Sequence, residues 1–249
     1  MHLNLSKVRF SKRDKEKGII IPNELTKELA EDVGIHIGDG SLHKCNKWKS
    51  AYEFSYTTSK AELDYVNHIV SLKKRLYNLP YHRILDRNTW VEMKFNSLAI
   101  ATFFENVFNM PVGNKCKIVD IPPIIKNCKD KQIIAACIKG IIDTDFYFGF
   151  KNQKGRLYPV ITGRFASFKL VKSLSLLFKK LGINHCVQFY DKRYDKSFMR
   201  GYSIGHTIAI NGFERLNLFL NIVGFSNQKN ISRLNKFESG PEEIRIQGI

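Results

Sequence analysis

Eleven residues of this chain occur twice in related form, and no other feature restricts its fold as strongly. Ala30 to Gly40 reads AEDVGIHIGDG and Ala136 to Phe146 reads ACIKGIIDTDF, so that Ala30 falls on Ala136, Gly34 on Gly140, Gly38 on Thr144 and Asp39 on Asp145, at a constant offset of 106 residues. In each copy the small residues recur at every fourth position, which puts them on one helix face and lets a second backbone come close. Two such helices packed small face to small face bring Asp39 and Asp145 together at one edge of the contact. Helix C-termini carry partial negative charge and unpaired carbonyls, so that edge attracts divalent cations.

The order of elements repeats with the motif. Asn23 is a candidate N-cap for the first motif helix. Strand patterns at Ser41–Lys47 and Ala51–Thr58 turn near Asn46–Ser50, and Lys60–Tyr77 is an amphipathic helix whose Lys73, Lys74 and Arg75 lie near its positive-preferring end and read as serving helix dipole and core. A hairpin over Tyr81–Asp86 and Thr89–Phe95 and a helix over Ser97–Asn109 close the half. The second half runs from Asp130 through strands at Asp145–Asn152 and Arg156–Ala166, a helix at Phe168–Leu181, strands at Asn184–Asp191 and Phe198–Ile210 joined by Lys192–Lys196, and a helix at Gly212–Val223. The expected fold class is α+β, a pseudo-two-fold duplication of αββαββα halves packed through the two motif helices. The expected domains are 1–110, including an irregular basic arm at Met1–Gly18; a linker at 111–126 marked by Gly113, Pro122 and Pro123; 127–225; and a loosely attached extension at 226–249. His36 and the phenylalanines of the amphipathic helices read as core, and Asp143 as a support for its helix end.

Charge identifies the kind of partner. Lys and Arg total 40 against 23 acids, a formal charge of +17, which points to a polyanion. No apolar run approaches the roughly 20 residues that span a bilayer, and the first residues lack a signal-peptide core, so the expectation is no membrane partner and a cytoplasmic or organellar compartment. The five cysteines are scattered without metal-finger spacing and read as reduced thiols, which argues against a structural zinc site.

The paired motif resembles the LAGLIDADG motif of homing endonucleases, in the single-chain, two-motif form. Asp32 stands at the leading Leu position, Ile37 at the earlier acidic one, and Phe146 where a small residue is usual. The resemblance implies a site-specific, Mg²⁺-dependent endodeoxyribonuclease, intron-encoded or free-standing and monomeric, that makes a double-strand break in a long asymmetric target. Mn²⁺ or Ca²⁺ would substitute for Mg²⁺ in binding. Asp39 and Asp145 fall at the catalytic, metal-binding positions, Gly38 and Thr144 would lend carbonyls to the metal, and Lys94 sits where the family carries an assisting base.

Duplex DNA would lie on the free face of each antiparallel sheet, because a two-stranded ribbon fits the major groove while cations neutralise phosphates. The residues picked for that role are Lys44, Lys60, Lys151, Arg164, Lys169, Gln188, Tyr190, Lys192, Arg193 and Arg200. The alternatives are an intron RNA-splicing maturase of the same fold, with intron RNA as partner, and a DNA-binding regulator that does not cut.

Overall fold

The computed structural model describes residues 1–44, 52–79, 83–153 and 155–238. The turn expected at Asn46–Ser50, the first residues of the strand expected at Tyr81 and residues 239–249 of the last segment lie outside the described residues.

The two motif helices form the centre. Helix α2 spans Lys27–Gly38 and is capped by Thr26, whose side chain accepts from the Leu29 amide. Asn23 does not cap it, since His2 and Glu24 form an antiparallel bridge and hold that stretch extended. Helix α6 spans Lys131–Asp145 and is capped by Asp130 as expected. The pair touches backbone to backbone. A Cβ added at Gly34 would lie 2.1 Å from the Cys137 carbonyl oxygen, and one at Gly140 would lie 2.3 Å from that of Glu31. Around this contact Leu29, Val33, Ile35, Ile134, Ile138 and Ile141 are fully buried, each contributing about 1.5–3 kcal/mol relative to exposure.

Each motif helix feeds a four-stranded antiparallel sheet. In half one β1 (Gly40–Lys44), β2 (Tyr52–Ser59), β3 (Arg83–Asp86) and β4 (Trp90–Phe95) lie in the order β1-β2-β4-β3. Helices α3 (Leu63–Tyr77), entered through a 3-10 turn at Lys60–Glu62, and α4 (Leu98–Val107) pack behind it. In half two β5 (Phe146–Gln153), β6 (Arg156–Phe165), β7 (Cys186–Tyr194) and β8 (Tyr202–Asn211) repeat the order as β5-β6-β8-β7, with α7 (Phe168–Leu181) and α8 (Phe213–Ile222) behind. Burial alternates along the strands; Trp90, Glu92 and Lys94 of β4 face outward between the buried Val91, Met93 and Phe95. The helices therefore cover one face of each sheet and leave the other open.

Two departures from the motif pattern have a packing cause. Phe146 pairs in register with Gly163 across β5 and β6, whereas in half one Gly40 pairs with Tyr56 across β1 and β2. The ring has changed strands. Phe146 packs on Phe165 at 5.5 Å between centroids, and a Cβ at Gly163 would meet its ring at 2.8 Å. Tyr56 instead fills half one and places its hydroxyl 3.2 Å from Nδ1 of the buried His36.

Asp32 is answered by Lys73, which among the three helix-end bases is the one that enters the core. Both side chains are fully buried, with Nζ 2.7 Å from Oδ1 and 2.9 Å from Oδ2 of Asp32, and the Tyr77 hydroxyl donates to Oδ2 at 2.7 Å. The rings of Tyr56 and Phe104 lie 4.7 and 4.8 Å from the ammonium. Burial pulls the Lys73 pKa down and Asp32 opposes the shift.

Among the described residues, the basic arm and the segment that follows half two are more tightly held than expected. The basic arm contains α1 (Lys12–Glu16) and buries Asp14, whose Oδ2 accepts from the amides of Ser11 and, at the start of α4, Ala99. The final segment forms α9 (Gln228–Glu238) and is docked. Ser226 N and Asn230 Nδ2 donate to the carboxylate of the buried Asp143, Asn227 Nδ2 donates to its carbonyl, and Arg233 Nη1 donates to the Phe148 carbonyl. The segment after Pro111 also packs: Val119, Ile121 and Ile125 are buried, and Asp120 accepts from Ser173 at 2.6 Å and Lys126 at 2.7 Å. Helix α5 (Pro123–Lys126) precedes α6. Strand β7 runs on through Lys192–Tyr194, so those residues are strand and the connection to β8 begins at Asp195. Among the described residues no helix is long and apolar enough to cross a membrane.

Candidate active site

Asp39 caps the C-terminus of α2 and Asp145 is the last residue of α6, so the packing of the two helices carries both acids to one edge. The fit is close there. A Cβ at Gly38 would lie 1.9 Å from Thr144 Oγ1 and 3.3 Å from Asp145 Oδ2. Only glycine at position 38 lets the helix ends approach this far. Asp39 opens into a cleft of about 470 Å³ lined by Thr57, Thr58, Ser59, Glu62, Trp90 and Thr144.

Protein crowds both carboxylates, although Asp145 keeps substantial contact with water and Asp39 some. Burial, then repulsion from Asp145, pushes the Asp39 carboxyl well above the usual carboxylate range, and burial raises Asp145 while Lys115 opposes it. Burial therefore disfavours the ionised form of both acids.

Lys115 is the residue that sequence reasoning missed. Its Nζ donates to the carbonyls of His36, Ile37 and Gly38 at 2.6, 2.6 and 2.5 Å, taking three of the orphan acceptors at the end of α2. A turn delivers it: Gly113, with φ +91°, donates its amide to the Leu42 carbonyl on β1. Burial lowers the Lys115 pKa to about 8, against the pull of Asp145 and Asp39. At the corresponding end of α6, among the described residues, no lysine takes this role; the amide of Asn227 bonds the Asp143 carbonyl, and burial raises the Asp143 pKa to about 6. Lys229, ion-paired with Glu62 of half one, is the neighbouring cation there.

The remaining candidates separate by position. Lys94 lies on the open face of sheet one, 2.9 Å from Glu53 and 3.5 Å from Glu92, while the lysine bonded at the end of α2 is Lys115. The Gly38 carbonyl is engaged by Lys115, and the Thr144 hydroxyl donates to the carbonyls of Gly140 and Ile141, leaving the Thr144 carbonyl as its route to a metal.

On sheet two, strand alternation and register put Lys151, Arg164, Gln188 and Arg193 on the open face. Arg164 is anchored there: it donates to the Asp191 carboxylate and carbonyl and to the hydroxyl and carbonyl of Ser203, closing the β-bulge between Gln188 and Asp191. A Cβ at Gly205 would come within 2.7 Å of its guanidinium. Arg193 shares the same Asp191 oxygen at 3.1 Å.

Tyr190, in the left-handed region at φ +58°, turns toward Phe168 and His206 on the opposite side, and Lys192 lies 4.9 and 4.0 Å from the rings of Tyr194 and Tyr202. Lys44 pairs with Glu105 of α4 at 3.5 Å on the helix side of sheet one, and Lys60 pairs with Asp86 at 2.5 Å. Lys169 is exposed in the first turn of α7, and Arg200 is exposed in the β7–β8 connection.

No protein-family model and no curated protein sequence matches this chain. Solved structures do. The homing endonuclease I-WcaI bound to its DNA recognition sequence superposes with a TM-score of 0.57 at 16% identity, covering 90% of this chain and 92% of that one. The LAGLIDADG homing endonuclease I-GzeII in complex with its DNA target gives 0.53 at 10% identity, covering 85% and 88%. The I-SmaMI LAGLIDADG homing endonuclease bound to cleaved DNA gives 0.52 at 15%, covering 91% and 97%. The chain has the fold of single-chain LAGLIDADG homing endonucleases.

Proposed function

We propose that the protein is a site-specific DNA endonuclease that acts as a monomer on a long, asymmetric duplex and breaks both strands by divalent-metal-dependent hydrolysis. The observation that carries this reading is the meeting of Asp39 and Asp145 at abutting helix ends below two sheets with open faces. Structures of the same fold are held with DNA targets, which supports duplex DNA as the partner. The net charge of +17 supports it independently.

Mg²⁺ fits the donor set, which offers two carboxylates and helix-end carbonyls, all hard oxygen ligands. Among the described residues no cluster of three or more His, Cys, Asp or Glu side chains is poised to cage a metal, so substrate and solvent oxygens would complete the shell. When bound, the ion supplies Lewis-acid activation of water and of the phosphate. Asp39 and Asp145 would hold it, one acid for each strand. Lys115 neutralises the end of α2 and keeps a cation beside Asp39. The open sheet faces would take the major groove on either side, with Lys151, Gln188 and Arg193 on the half-two face.

Incubation with Mg²⁺ and DNA that joins the flanks of the protein's own reading frame should give one double-strand break. Asp39→Asn and Asp145→Asn should each lower cleavage by about 100-fold or more, as loss of a principal charge-stabilising group does, and leave binding within about threefold. Cleavage that survives in both variants would refute the assignment.

A further inference from the structure

The open face of sheet one does not have the charge of a surface built only to hold phosphates. Glu53 on β2 and Glu92 and Lys94 on β4 project from it, and its other described polar side chains include Ser41, Ser55 and Thr57. Among the described residues of this +17 chain, Glu53 and Glu92 stand beside Lys94 on this face, and Arg83 of β3 lies in register with Lys94. Acids set against a polyanion are repelled by phosphates, so they are tolerated only opposite hydrogen-bond donors. In the major groove the base-edge donors are the exocyclic amino groups of cytosine and adenine.

The three side chains form one preset array. Lys94 Nζ lies 2.9 Å from Glu53 Oε1 and 3.5 Å from Glu92 Oε1, and all three remain partly open to solvent, at 27%, 40% and 16% of side-chain surface. An ammonium has three donors. One bonds Glu53 and Glu92 lies within ion-pair distance, which leaves donor capacity between carboxylate acceptors on either side.

Resting on the endonuclease reading above, we infer that Glu53, Lys94 and Glu92 are specificity-determining residues that together read a G·C base pair in the half-site under half one. The free donor of Lys94 meets O6 and N7 of guanine, the adjacent pair of acceptors that an ammonium prefers, and a flanking glutamate accepts from N4 of the paired cytosine. On an A·T pair adenine offers Lys94 one acceptor, N7, next to a donor, while thymine sets its O4 acceptor against the flanking glutamate and its methyl group beside the array. Base reading thus falls to a nearly neutral face on half one, while the half-two face, with Lys151 and Arg193, carries more of the phosphate attraction.

The test is a binding selection with the full chain on a randomised duplex library without added divalent ions, repeated for Lys94→Met and Glu53→Gln. The wild type should prefer G·C at one or two adjacent positions of a single half-site by about 5- to 150-fold. Both variants should lower that preference to below about threefold and leave the other half-site unchanged. A G·C preference that survives in both variants, or its absence from a wild-type profile that is otherwise selective, overturns the inference alone. A wild type that selects no sequence at all overturns the endonuclease reading with it. Since all three side chains are on the surface, unchanged thermal melting would separate lost reading from lost folding.

Discussion

Half one buries an ion pair where half two buries hydrocarbon. Asp32 and Lys73 sit in the core of the first half, whereas Ile138, at the place of Asp32 in the second motif, and Leu177 and Phe178 of α7 are fully buried and apolar. The two halves hold the same backbone with different chemistry, so this fold requires space filled at that point and not a particular interaction. The aromatic–glycine exchange between Tyr56/Gly40 and Phe146/Gly163 teaches the same lesson. The glycines at the helix contact differ. Gly34 and Gly140 occupy equivalent positions in both halves because each faces the other's backbone, and nothing larger fits.

Substitutions can break this comparison. Gly140→Ala places a methyl group inside the Glu31 carbonyl and should cost about 4 kcal/mol or more, at the severe end for single changes, read as loss of the folded baseline in urea. Lys73→Met leaves the buried Asp32 with the Tyr77 hydroxyl but no counter-charge and should cost about 3–5 kcal/mol, whereas the double change Asp32→Ile with Lys73→Phe, which makes this site apolar as the core of half two is, should come within about 1 kcal/mol of wild type or exceed it. Chemical denaturation of the three proteins decides between them. A double variant as unstable as the single one would mean that half one needs the pair itself.

Smaller effects probe the unequal helix ends. Lys115→Met should slow cleavage by about 10-fold or more, as removal of a positioned charge does, with binding little changed. Because the Lys115 pKa lies near 8, wild-type cleavage should fall above that pH as the ammonium loses its proton, and the decline should be absent in the methionine variant. Asp39→Asn should raise the melting temperature by a few degrees at pH 7, an effect of about 1 kcal/mol. The raised carboxyl holds its proton more firmly folded than unfolded, so its ionised form costs stability at neutral pH and that cost vanishes as pH falls toward the ordinary value of 3.8. The advantage of the variant should shrink over the same range.

Much of this was legible in the sequence, for stated reasons. The repeated small-residue spacing gave the helix contact and the place of both acids, and strand and helix periods gave the αββαββα order. What escaped notice rests on contacts between residues far apart in the chain. Lys115 reaches carbonyls 77 to 79 residues away, and no local pattern marks a lysine for that task. The last helix has few apolar residues and is held by amides on Asp143, which hydrophobic periodicity does not register. Lys73 looked like one of three helix-end cations, and only packing shows that it points inward to Asp32. Arg164 read as a cation free for phosphate, while the bulge it closes was not visible in strand alternation.

The docking of the last helix also bears on the order in which the protein is completed during synthesis. Glu31 and Glu62 belong to half one, yet the residues that bond them include Lys139 of half two and Ser226 and Lys229 of the segment that follows it. A nascent chain that has released only its first half carries these acids without those partners and presents the bare glycine face of α2 to water. Half one therefore reaches its final charge balance only when residue 229 leaves the ribosome, so the ribosome-bound first half is the intermediate most exposed to chaperones and proteases.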